Sequence, residues 1–210
     1  MLLLLAIACS DYQVYSGPPV PPAEPPGSDP DAALGSPPDW TDCGGGYLAQ
    51  YFNLSVDHSD VEPEPDVVPP SGPDAVDWFD GPPDDSTYLP SLDLGADWWP
   101  LDQGLAGDPA YFAARFTAWI RVWDSGTVTL SVGAADDLWL LVNDEVVYGD
   151  AGVHAFSPSS VQIELGSGQY PLEVRYAHRA GADNGLRFRV ASGDVTLCYP
   201  DFTEADVEQE

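Results

Sequence analysis

Between Phe112 and Val190 the chain is written in short alternating runs. Phe112, Ala114, Phe116, Ala118, Ile120 and Val122 are spaced two apart, with Arg115, Thr117 and Arg121 among the residues between them. A period of two sends successive side chains to opposite faces, so the run predicts a long strand with one apolar face. Asp124-Ser-Gly126 turns into Thr127–Val132, which alternates again. Leu138-Trp-Leu-Leu-Val142 is apolar throughout and predicts a strand buried on both faces. Asn143-Asp144 reads as a hairpin turn into Glu145–Tyr148. Val161–Leu165 and Tyr170–Tyr176, joined by Gly166-Ser-Gly168, read as another hairpin, and Leu186, Phe188 and Val190 close the set. Short strands divided by turns, without a helical period, predict an all-β fold: an antiparallel β-sandwich, jelly-roll-like, with long loops.

The pattern changes upstream. Gly44-Gly-Gly46 is a hinge into the aromatic run Tyr47–Asn53, and residues 57–110 are mostly turn formers. Trp78-Phe79 and Trp98-Trp99 punctuate that stretch and predict loops pinned to the core by aromatic side chains. From Ser10 to Asp42 prolines recur in pairs and large apolar residues are few, so the segment cannot offset its ordering entropy. It predicts a disordered, extended spacer. The chain therefore divides into a signal segment (1–9), a Pro-rich linker (10–42), a β-sandwich (43–200) and an acidic tail (201–210).

Charge narrows the function classes. Asp and Glu number 35 against six arginines, there is no lysine, and the net charge is −29. Such a field repels phosphate and excludes nucleic acid as a partner. Most of the acids keep the surface soluble. Asp in particular is also a short-armed oxygen ligand that suits hard cations.

The first nine residues, an apolar run ending in Ala8-Cys9, resemble a bacterial lipoprotein signal, although no basic residue opens the run and Ala6 stands where Leu is usual. The resemblance implies a lipid on Cys9, and Ser10 suits sorting to the outer membrane of a cell envelope. Cys43 and Cys198 remain, one on each flank of the sandwich. In an exported protein an even remainder predicts one disulfide. Closing so long a loop contributes up to about 5 kcal/mol.

Gly46-Tyr-Leu-Ala-Gln-Tyr-Phe-Asn53, Ala114-Arg-Phe-Thr-Ala-Trp119, Asp136-Asp137 with Asn143-Asp144, and Leu165-Gly-Ser-Gly-Gln-Tyr-Pro-Leu-Glu-Val-Arg-Tyr176 follow one another in a known order. Over residues 44–190 the chain resembles the protective-antigen-type (PA-fourteen) β-sandwich domain, and in Asp136–His154 its fibro-slime branch. Tyr176-Ala-His-Arg179 resembles that branch's aromatic-Ala-Glu-Arg motif, with His178 where Glu is usual. The resemblance implies a carbohydrate or surface-polymer binding module. It also implies a calcium ion held by Asp136 and Asp137 across a cis peptide, with a later loop helping.

Read by themselves, Asp136 and Asp137 allow two roles. On a regular strand their side chains point to opposite faces and cannot share an ion. The pair is then a strand-entry cap. Brought to one side, the two carboxylates clamp a metal. Asp183 and Asn184, in the loop 180–185, are ordinary turn residues or further oxygen ligands. Trp98 and Trp99 either pack a loop or offer flat faces to a sugar ring. His58, His154 and His178 read as hydrogen-bonded structural residues. No catalytic motif stands out, so the chain is read as no enzyme.

Taken together, the sequence reads as a non-catalytic surface module that binds a glycan or surface polysaccharide, with calcium as cofactor and a membrane reached through the lipid anchor. The alternatives are a structural envelope lipoprotein and, third, a hydrolase-associated domain. Mass spectrometry of the exported protein without reduction should find an acylated Cys9 peptide and a Cys43–Cys198 crosslink. An unmodified Cys9 and two free thiols would contradict both cysteine assignments.

Overall fold

The structure, a computed structural model, describes residues 12–14, 43–64, 67–96, 111–180 and 184–200. Among these the chain forms two face-to-face sheets, as the period-two runs require. One sheet holds β1 (Tyr12–Val14), β5 (Leu92–Ala96), β7 (Gly126–Ala135), β10 (Ser157–Leu165) and β12 (Gly185–Ser192), in the order β1-β10-β7-β12-β5. The other holds β2 (Cys43–Gly44), β3 (Tyr47–Asn53), β4 (Asp85–Leu89), β6 (Phe112–Val122), β8 (Asp137–Val142), β9 (Glu145–Asp150), β11 (Gly168–His178) and β13 (Val195–Pro200). Its main path runs β2-β13-β6-β11-β8-β9.

β6 organises the second sheet. One of its edges pairs with β11 along its full length, from Gly168↔Val122 to His178↔Phe112. Its other edge is shared, β3 taking residues 112–117 and β13 residues 119–122. The alternating residues Phe112, Ala114, Phe116, Ala118, Ile120 and Val122 face the interior with Tyr170, Leu172, Val174 and Tyr176 of β11. They meet Val128, Leu130 and Val132 of β7, Val161 and Ile163 of β10, and Leu186 and Phe188 of β12. Each such large side chain stabilises the fold by about 1.5–3 kcal/mol on leaving water.

β8 bears out the reading of a strand apolar on both faces. Leu138, Leu140 and Val142 join the interior core. Trp139 and Leu141 turn outward and are covered by a second cluster with Leu54, Val61, Trp78 and Phe79. The described residues of the loop from 54 to 80 thus form a lid packed on the outer face of the sheet. Phe52 meets Phe79 edge-on at 6.0 Å, and Trp78 lies 5.9 Å from Trp139. These are separations at which aromatic pairs gain beyond their buried area. At the far end of β8, Asn143 and Asp144 both take positive φ, 52° and 62°. That is the two-residue turn whose twist matches a hairpin.

Three expectations change. β10 and β11 follow each other but do not form a hairpin: β10 pairs with β7 and β11 with β6 and β8, so Gly166-Ser-Gly168 crosses between sheets. A period of two sets which face a side chain takes and leaves the partner strand open. Tyr12–Val14, inside the segment 10–42 expected to be a disordered linker, is a strand parallel to β10 with Tyr12 opposite Ser160. It caps the hydrogen-bonding edge that β10 would otherwise leave open. β13 extends the sandwich beyond Val190, and its pairing with β2 sets Cys43 opposite Pro200, two residues past Cys198. The signal segment 1–9 with Cys9, the rest of the linker, Trp98 and Trp99, Asp183 and the tail 201–210 lie outside the described residues.

Candidate functional site

β7 runs directly into β8 at Ala135-Asp136-Asp137, and the strand ends of β11 and β12 close around the junction. Tyr176 holds it from β11, its hydroxyl donating to the Ala135 carbonyl at 2.6 Å. Burial pushes that hydroxyl well above the ordinary phenol range. The peptide Ala135–Asp136 is cis. The resemblance implies such a bond between Asp136 and Asp137, so the structure places it one residue earlier. Asp136 and Asp137 are 1% and 0% exposed.

Every carboxylate oxygen of the pair has an N–H donor. Asp136 Oδ2 accepts from the backbone N–H of Arg179 and of Ala180, both at 3.0 Å, and its Oδ1 from the N–H of His154 at 3.2 Å. Asp137 Oδ1 accepts from Gly152 N–H at 2.6 Å and from Arg179 Nη2 at 3.3 Å, and its Oδ2 from Arg179 Nε at 2.6 Å. Gly152 takes φ 123°, a backbone region that side chains other than glycine's rarely enter. Burial pushes the Asp137 carboxyl above its ordinary value, against the downward pull of Arg179 and of Gly152 N–H.

Arg179, 3% exposed, binds more than the acid. Its Nη1 donates to the Asp60 carbonyl at 3.0 Å, and its own carbonyl accepts from Glu62 N–H at 2.7 Å. Its guanidinium lies 5.1 Å from the ring centre of Trp78, whose Nε1 donates to Asp60 Oδ2 at 2.9 Å. One side chain therefore ties the acid pair to the lid. Sequence reading had Arg179 in view only as the end of a motif. Its signal was a lone arginine three residues beyond a core tyrosine in a chain very poor in cations.

These contacts test the calcium expectation. Calcium takes six to eight oxygens at about 2.3–2.6 Å. Around Asp136 and Asp137 the neighbours are backbone N–H groups, the Arg179 guanidinium and the His178 ring. The residues do not fit the ion. Asn184 is fully buried where β12 begins. His154, expected to be structural, points Nδ1 at the Ala155 carbonyl, 2.9 Å away, and His178 is wholly buried with Nδ1 3.4 Å from Asp136 Oδ2.

His58, Asp60 and Asp77 form another acid–imidazole group. His58 Nδ1 accepts Asp60 N–H at 3.1 Å, so the neutral ring carries its proton on Nε2, which faces Asp77 Oδ1 at 3.2 Å. The nitrogen facing the acid is then a donor to it, and the three residues are tied to one another by hydrogen bonds.

An open groove lies on the outer face of the same sheet, beside the lid. Its volume is about 340 Å³, and Pro73, Asp74, Val76, Phe79, Asp80, Arg115 and Arg175 line it. Arg115 Nη2 donates to the Phe79 carbonyl at 3.1 Å, and Arg175 Nη1 to Asp74 at 3.2 Å. Glu173 pairs with Arg175 Nε and lies 3.6 Å from Arg115 Nε. Sequence reading placed Arg115 on a strand face and had no means of bringing it to Asp74.

A family model of the PA14 domain matches residues 83–204, more than half of the chain. The chain belongs to the PA14 domain family. The lid, 54–80, precedes the matched region of this PA14 domain. In structure the chain is similar to a PA14 sugar-binding domain from an RTX adhesin, with 19% identity and a TM-score of 0.54, covering 73% of this chain and 94% of that one. It is also similar to the PA14 domain of the antifreeze protein MpAFP, at 13% identity and TM-score 0.53, covering 80% and 97%. A β-glucosidase from Kluyveromyces marxianus in complex with glucose matches at 13% identity and TM-score 0.47 over 70% of this chain, which spans 16% of that enzyme's length. No curated protein matches the chain in sequence.

Arg179→Ala should lower unfolding stability by about 3–5 kcal/mol, because it leaves the buried Asp137 carboxylate without its partner. Arg187→Ala, which breaks the half-exposed pair with Asp93, should cost about 1 kcal/mol or less. Urea denaturation measures both. Equal losses would contradict the special position of Arg179.

Proposed function

We propose that this PA14 domain is a non-catalytic carbohydrate or surface-polymer binding module, acting in adhesion or matrix contact at a cell surface. The observation that carries the reading is the groove at Arg115 and Arg175. Its volume is at the small end of the roughly 300–1,000 Å³ typical of ligand sites. Two of the chain's six arginines converge there beside Asp74 and Asp80. Guanidinium N–H groups donate to sugar hydroxyl oxygens and carboxylates accept from hydroxyl hydrogens, so such a wall can hold neighbouring hydroxyls from both sides.

The charges select within sugars. Asp74, Asp80 and Glu173 outweigh Arg115 and Arg175, and the chain around them is strongly acidic. A neutral saccharide suits this groove better than an acidic one, whose carboxylate would meet repulsion. The sugar-binding PA14 domain of the RTX adhesin supports the same class of ligand. Buried Asp136 and Asp137 would not touch it. A lipid on Cys9 would hold the module at the envelope surface.

A glycan array should give reproducible hits among neutral saccharides. Arg175→Ala and Asp74→Ala should each weaken the strongest hit about tenfold or more, the loss of one good polar contact at about 1.4 kcal/mol. Arg189→Ala, exposed on the other sheet, should leave it unchanged. A silent array would favour a structural envelope protein, and release of product from a polysaccharide would favour a hydrolase.

A further inference from the structure

The acid pair resembles one that holds calcium, and its oxygens already have backbone N–H and guanidinium partners. We propose that the Arg179 guanidinium is the resident cation of this site, and that it makes the domain indifferent to divalent metals.

The guanidinium's acceptors are all oxygens: Asp137 Oδ2 at 2.6 Å, Asp137 Oδ1 at 3.3 Å and the Asp60 carbonyl at 3.0 Å. Two carboxylate oxygens and a backbone carbonyl surround the guanidinium, and oxygens of these kinds are the donors a hard cation takes. Here the point is filled by a side chain whose planar fork matches a carboxylate with two parallel bonds. Trp78 covers a face of the guanidinium, an arrangement that favours a cation over a neutral group. The remaining carboxylate, Asp136, accepts from three backbone N–H groups. The charge balance closes within the chain, one guanidinium against Asp137, with Asp136 held by N–H dipoles.

The substitution also explains the lid. Arg179 grows from the end of β11 and reaches across to Asp60, while its carbonyl receives Glu62. It is a positioning residue for the loop that carries Asp74, Phe79 and Asp80 to the groove.

The test needs no glycan. Thermal melts of the full chain are compared in chelator, calcium and magnesium, with terbium luminescence as a direct binding readout, since Trp78 and Trp139 lie beside the site. In the wild type, calcium and magnesium should raise the melting temperature equally, by screening an acidic chain, and terbium should show no saturable signal. Arg179→Gln vacates the point between the three oxygens. It should gain a calcium-specific rise over magnesium and a saturable terbium signal, both removed by adding Asp137→Asn. If Arg179→Gln is unfolded in chelator, recovery of its near-ultraviolet circular dichroism by calcium and not by magnesium gives the same support. Arg179→Lys, which keeps the charge, should fold and stay indifferent to calcium. A calcium-specific shift in the wild type that Asp136→Asn with Asp137→Asn abolishes would overturn the proposal. So would an Arg179→Gln variant that calcium neither stabilises nor refolds.

Discussion

The pairing of Arg179 with Asp137 is the interaction that ties the buried acid pair of this domain to its lid. Two carboxylates side by side in the wall of a β-sandwich are costly to bury unless their charge is offset and their oxygens are bonded. The chain meets both requirements from its own residues. Backbone N–H groups from the turn after β9 and from the end of β11 take Asp136, and the guanidinium takes Asp137. Because Arg179 also binds the Asp60 carbonyl, the cost of burying the acids is coupled to the seating of the lid. Loss of the arginine would strand a buried acid and remove one anchor of the loop together.

That coupling shifts where recognition can occur. With the lid seated, the acid pair is closed to solvent, and a polar groove stays open on that sheet between the lid and Arg115 and Arg175. Its walls are rigid where they come from β6 and β11, whose side chains on the opposite face lie in the interior core. The lid wall is held by Phe79 against Phe52 and by Arg175 against Asp74. A groove of hydrogen-bonding groups on a stiff sheet suits a ligand rich in hydroxyls, with little ordering left to do on binding.

Much of the fold was legible in the chain because one periodicity dominates it. Phe112–Val122 and Tyr170–Tyr176 could be assigned to strand faces from alternation alone, and the apolar run Leu138–Val142 announced a strand covered on both sides. What covers it was not legible, since the lid is irregular and only Trp78-Phe79 hinted at packing. Strand partners were equally hidden, which is why Val161–Leu165 and Tyr170–Tyr176 looked like a hairpin. At the site, the acid pair drew notice for its chemistry, and the partner that decides its role stands more than forty residues later. A resemblance carried calcium with it. The role of Arg179 at the site could be judged only once its three acceptors were known.

The most direct measurement is a crystal structure of the full chain grown in calcium-containing solution, with anomalous data collected to locate the ion. The guanidinium of Arg179 should sit within hydrogen-bonding distance of both Asp137 oxygens and the Asp60 carbonyl, with no calcium signal between them. A calcium peak ringed by oxygens at about 2.3–2.6 Å beside Asp136 and Asp137, with Arg179 turned away, would contradict this assignment.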